Sequence, residues 1–141
     1  MYDRILLPTD GSEAGNKAVS EAIELATAHG ATIHALFVVN ESPYAPELID
    51  ADVGSRLRTV GEEVLGEIRD RAAEAEIEIE TEIREGTPAR EIIDCAEDIG
   101  ADVIVMGTHG RSGLDRYILG SVTERVVRGS SVPVLTVRKD A

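Results

Sequence analysis

The stretch Ala31 to Val39, ATIHALFVV, constrains the fold of this chain more than any other. Ile33, Ala35, Leu36, Phe37, Val38 and Val39 follow one another too continuously for a strand with one wet face. A strand of that pattern is covered on both sides, and helices are the usual cover. Three further apolar runs share its character: Tyr2 to Leu7, closed by Pro8; Asp102 to Met106; and Val132 to Val137.

Helical stripes separate these runs. Ala18, Val19, Ala22, Ile23 and Ala26 mark a helix from an N-cap at Ser12 to about His29, with Gly30 as its stop. After the loop at residues 40–47, NESPYAPE, the apolar positions Ile49, Val53, Leu57, Val60, Val64, Ile68 and Ala72 predict a long amphipathic helix. Gly54, Gly61 and Gly66 each weaken it by up to ~1 kcal/mol relative to alanine, so fraying at its start is expected. Thr87 as N-cap and Pro88 at the first helical position open a third helix, with Ile92, Ile93, Ala96 and Ile99 as its stripe and Gly100 as its end. Ser121 and Glu124 form a capping box at the head of a fourth.

One segment differs. Glu76-Ile77-Glu78-Ile79-Glu80-Thr81-Glu82-Ile83 alternates with period two, which predicts a strand with one solvated, glutamate-bearing face. In a sheet covered by helices such a strand belongs at an edge, where its charges discourage further pairing. The alternation of strands and helices, joined by right-handed crossovers, gives a parallel sheet with helices on both faces. The expected fold is therefore α/β: an open, doubly wound, five-stranded Rossmann-like sheet in the order 3-2-1-4-5, forming a single domain over residues 1–141. In such sheets ligands bind beyond the strand C-termini, where the strand order reverses. Here that point lies between strands 1 and 4, at Thr9-Asp10 and Met106-Gly107.

The residues after strand 4 suit that position. Between it and the last helix stand Gly107, Gly110, Gly113 and Gly120, more glycine than a connection requires. Glycine allows tight turns and lets a ligand approach bare N–H groups. A helix N-terminus adds unpaired donors and partial positive charge, which suits phosphate. From Gly107 to Arg128 the bases are Arg111, Arg116, Arg125 and Arg128, against only Asp115 and Glu124, so the segment is basic within an acidic chain. A nucleotide phosphate site is the expectation.

The spacing of Gly107, Gly110, Gly120 and Ser121, with two and then nine intervening residues before each later glycine, resembles the nucleotide-binding signature of the universal stress protein family. Pro8-Thr9-Asp10 resembles that family's opening motif, and the element order fits end to end. The resemblance is to the branch that binds ATP. It implies that Gly107, Gly110, Gly120, Ser121, Val122 and Thr123 hold the phosphates. Asp10 would lie near the ribose and an accompanying Mg²⁺, and the backbones of Val38 and Met106 would edge the adenine. It also implies a homodimer through the last strand, where Val134 to Val137 are free to pair although Pro133 cannot donate.

Other residues carry plainer alternatives. Ser121 can be a helix cap alone, Asp10 an ordinary turn residue, and Arg111 either a phosphate partner or a solvated side chain. His109 has no acid at defined spacing and reads as a supporting or surface residue. Cys95 reads as a small buried hydrophobe, and His29 and His34 as structural. No GxxxxGK[ST] loop or GxGxxG fingerprint occurs, and no carboxylate cluster of a phosphorelay receiver. A regulatory ATP-binding module is therefore preferred to two rivals: a slow ATPase on the same scaffold, and a dimerising interaction module with a vestigial site.

Composition narrows the partners. Acids number 27 against 14 bases, giving a net charge of −13, and Lys17 and Lys139 are the only lysines. Nucleic acid binding requires clustered bases and is not expected. The acidic surface suits solubility at high ionic strength, so a halophilic character is expected, with an ordinary acidic cytosolic protein as the alternative. No apolar run approaches the ~18 residues of a membrane span. The start, MYDRILLPTDG, reads as strand and turn rather than a signal peptide, so a cytoplasmic location is expected. A single cysteine excludes an internal disulfide framework and any multi-cysteine metal site.

Overall fold

The apolar runs become strands and the striped segments helices in a computed structural model that describes residues 2–40, 51–108 and 120–138. In chain order these are β1 Arg4–Thr9, α1 Glu13–His29, β2 Thr32–Asn40, α2 Ala51–Glu74, β3 Ile79–Gly86, α3 Pro88–Ile99, β4 Val103–Gly107, α4 Ser121–Gly129 and β5 Val134–Val137. The strands form one sheet in the order β3-β2-β1-β4-β5, with every pairing parallel. This is the expected doubly wound arrangement.

Among the described residues, each face of the sheet carries two helices. On one, Ala18, Val19, Ala22 and Ala26 of α1 and Leu65, Ile68 and Ala72 of α2 pack on Ile5, Leu7, Ile33 and Phe37. On the other, Ala89, Ile92, Cys95 and Ala96 of α3 and Val126 of α4 pack on Leu6, Leu36, Ile104 and Met106. Consecutive residues Ile5, Leu6 and Leu7 are all fully buried because the two layers claim them alternately. Burying each such side chain contributes about 1.5–3 kcal/mol, the main favourable term for the central strands. No described helix is long and apolar enough to cross a membrane.

Helix ends follow local chemistry, with exceptions. Ser12 caps α1, its side chain accepting the Gly15 N–H, and Gly30 and Gly100 end α1 and α3 in the left-handed conformation. Thr87 precedes α3 as expected, but its side chain makes no capping bond; Pro88 simply starts the helix. The third strand begins later than the glutamate alternation predicts. Helix α2 runs to Glu74, and the chain then turns through Glu76 at φ 59, with the Ile77 N–H bonded to the Ala72 carbonyl at 2.9 Å. Glu76 to Glu78 are thus absorbed by the turn, and β3 continues instead to Gly86.

Candidate functional site

Strand β1 stays paired with β2 as far as Thr9 and Phe37, whereas its pairing with β4 ends at Leu6 and Ile104. Helices α1 and α4, which follow these two strands, lie on opposite faces of the sheet. A cleft of about 430 Å³ opens at the C-terminal ends of β1, β2 and β4, a volume typical of a small-ligand site. Leu36, Val38, Ile92, Met106 and Val122 supply apolar wall, and Thr9, Asp10, Ser12, Asn40 and Thr123 supply polar groups.

The turn after β1 is held by its own side chains. The Ser12 N–H donates to Asp10 Oδ1 at 2.9 Å, and the Gly11 N–H to Thr9 Oγ1 at 3.3 Å. Gly11 has φ 79, a conformation glycine adopts without steric cost. A Cβ on Gly15 would stand 3.3 Å from both Thr9 Oγ1 and Ser12 Oγ, so the first turn of α1 sits close against this loop. Asp10 is therefore a turn residue and a cleft residue at once.

The head of α4 is tied to the end of β4. The Gly120 N–H donates to the Thr108 carbonyl at 2.6 Å, and Thr123 Oγ1 donates to the Gly107 carbonyl at 2.8 Å. These bonds bring the chain into the helix one residue earlier than the capping box predicts. Gly120 is the N-cap, Ser121 is already helical and exposed, and Glu124 pairs with Arg128 at 2.7 Å. The first helical bond runs from the Glu124 N–H to the Gly120 carbonyl at 2.9 Å. The amides of Ser121, Val122 and Thr123 precede that ladder, forming the donor-rich, positive end of the helix.

Of the sequence-predicted residues, Pro8, Thr9, Asp10, Val38, Met106, Gly107, Val122 and Thr123 all line the cleft. Gly120 and Ser121 stand beside them in sequence at the head of α4 but are not part of its lining. Gly110 and Arg111, with His109, Gly113 and Arg116, lie outside the described residues. The lining residues that the sequence reading did not single out for the site are Ser12, Leu36, Phe37, Val39 and Asn40 beside the ends of β1 and β2, and Gly15, Leu57, Pro88 and Ile92 on the helices. Leu57 and Ile92 belong to helical stripes, and an apolar stripe does not distinguish a pocket wall from a core.

The sequence profile described as the Universal stress protein family matches residues 1–138. Universal stress protein MJ0531 of Methanocaldococcus jannaschii is 40% identical over 142 aligned residues, covering 99% of this chain and 84% of that protein. The solved structure of protein MJ0577 from the same organism superposes with a TM-score of 0.87 at 33% identity, covering 97% of this chain and 96% of the other. A universal stress protein solved in complex with cAMP superposes with a TM-score of 0.77 at 28% identity, covering 98% of each chain.

Proposed function

The chain belongs to the universal stress protein family, and we propose that its cleft binds an adenine nucleotide, ATP with Mg²⁺, as a regulatory module. The observation that carries this reading is the division of the cleft. Leu36, Val38, Ile92 and Met106 offer an apolar slot for a planar base, while Thr9, Asp10 and the head of α4 gather polar groups near the switch point. The Ser121, Val122 and Thr123 amides suit the phosphates. Mg²⁺ prefers hard oxygen donors, and Asp10 is the only carboxylate among the described lining residues. The cAMP complex of a relative 28% identical supports the adenine class of ligand.

Binding without efficient turnover is the preferred form of this function. Among the described lining residues there is no histidine or lysine, and Asp10 Oδ1 already accepts the Ser12 amide. Phosphoryl transfer depends on positioned charges and a group that orients the nucleophile. The protein also acts as a homodimer through β5, in this reading.

Two measurements test the proposal. Chromatography of an acid extract of the purified protein is expected to release an adenine nucleotide. Titration calorimetry is expected to give one ATP per chain for the native protein and none for Gly120→Val. Gly120 has φ −59 and ψ 152, which any residue adopts, so valine introduces bulk at the head of α4 without backbone strain. A folded Gly120→Val variant with native affinity would remove the helix head from the site.

A further inference from the structure

A second group of chemically active side chains lies apart from the proposed nucleotide contacts, on the face of the sheet covered by α3. His34 on β2, Glu82 on β3 and Cys95 on α3 converge there. His34 Nε2 is 2.8 Å from Glu82 Oε1, Cys95 Sγ is 3.7 Å from the same oxygen, and the three ligand atoms all lie within 4.8 Å of one another. Cys95 is fully buried and His34 nearly so, while the Glu82 side chain is 31% exposed and leaves a way in.

We propose that His34 Nε2, Glu82 Oε1 and Cys95 Sγ form a binding site for a thiophilic divalent cation of the zinc class. Nitrogen, oxygen and sulfur donors of this kind are those zinc accepts, at about 2.0–2.3 Å each. Ligand atoms around a tetrahedral ion of that size stand roughly 3.5 Å apart. The observed separations bracket this value, so small side-chain rotations suffice.

The surroundings support the same reading. Glu80 Oε2 lies 3.4 Å from His34 Nδ1, on the ring nitrogen away from the cluster. With an ion on Nε2, a carboxylate there accepts the Nδ1 proton, as outer-shell carboxylates do for metal-bound histidines. Without an ion, Nε2 at 2.8 Å from Glu82 Oε1 is the better-placed donor, so an entering cation takes the place of that proton and leaves the ring proton on Nδ1, facing Glu80. The Arg84 guanidinium bonds the other oxygen, Glu82 Oε2, and reaches Asp98 Oδ2 at 3.1 Å, which holds Glu82 Oε1 toward the cluster. The entering ion displaces the Cys95 thiol proton to solvent and leaves a thiolate–metal bond. One thiolate and one carboxylate then balance the dication.

The competing occupant of this geometry is the proton shared between His34 Nε2 and Glu82 Oε1. Titration of nucleotide-free, metal-free protein with Co²⁺ separates the two. The chain holds one cysteine, so a thiolate-to-cobalt charge-transfer band identifies Cys95 without any substitution. The expected result is a band that saturates at one Co²⁺ per chain and is abolished by one equivalent of Zn²⁺. Glu82→Gln retains the thiol and is expected to weaken Co²⁺ binding by at least about tenfold. Cobalt bound without the sulfur band would mean capture by surface carboxylates, and would overturn the proposal. So would the absence of binding, or a folded Glu82→Gln variant with native affinity.

Discussion

A methyl group on Gly61 would stand 2.7 Å from Phe37 Cδ1 and 3.0 Å from Cγ, well inside carbon–carbon contact. Gly61 is buried on α2, and Phe37 both fills the core beneath that helix and lines the cleft. Helix propensity alone favours alanine there by about 1 kcal/mol. Overpacking costs about 1–3 kcal/mol, and the Phe37 ring is already buried against α2. Gly61→Ala is therefore expected to lower stability despite the better helix former, as read from the urea midpoint. An increase would show that the ring moves aside freely. Propensity marked this glycine only as a weakness of the helix, because its purpose depends on a ring 24 positions earlier on another element.

Elements were legible where local pattern and tertiary role agree. The apolar run of β2, the stripes of α1 and α3 and their terminal glycines required no knowledge of neighbours. The start of β3 was not legible, because glutamate–isoleucine alternation continues through a turn that the end of α2 imposes on Ala75 and Glu76. The capping box failed for a related reason: bonds from Gly120 to Thr108, just past β4, and from Thr123 to Gly107 at its end decide where α4 begins. The same limit hid the grouping of His34, Glu82 and Cys95, which separate elements bring together. Away from the cleft, one side chain joins the starts of the two central strands. Asp102 Oδ2 accepts the Asp3 N–H at 2.8 Å and the Arg4 N–H at 2.9 Å, and these bonds hold its pKa below the ordinary carboxylate value. A depressed folded pKa stabilises above the unfolded value, about 3.9, and that contribution disappears as pH falls through the folded one. Asp102→Ala is thus expected to lower the melting temperature at neutral pH, with the gap from the native protein narrowing below about pH 3.9. A gap independent of pH would contradict a role for the charged form.

For the whole molecule, charge and the open sheet edge act together. The edge at β3 carries Glu80, Glu82 and Glu85, whereas β5, the other edge, leaves Leu135 40% exposed. Val127 at 44% is the other large apolar residue so exposed among the described residues. An apolar edge with unpaired backbone groups favours two-fold pairing with a second copy. Each copy carries −13, so added salt should screen their repulsion and raise the dimer fraction. Sedimentation is expected to show a dimer at micromolar concentration in high salt, shifted toward monomer by Leu135→Asp while ATP affinity persists. A native monomer under those conditions would exclude pairing through β5. The central claim is that an adenine nucleotide occupies the switch-point cleft with its phosphates on the head of α4. Backbone amide NMR of the native protein during titration with ATP and Mg²⁺ tests this most directly. The account predicts saturable shifts, largest at the Ser121, Val122 and Thr123 amides and accompanied by Val38 and Met106. Saturable shifts confined to other parts of the chain, or none at millimolar ATP, would contradict it.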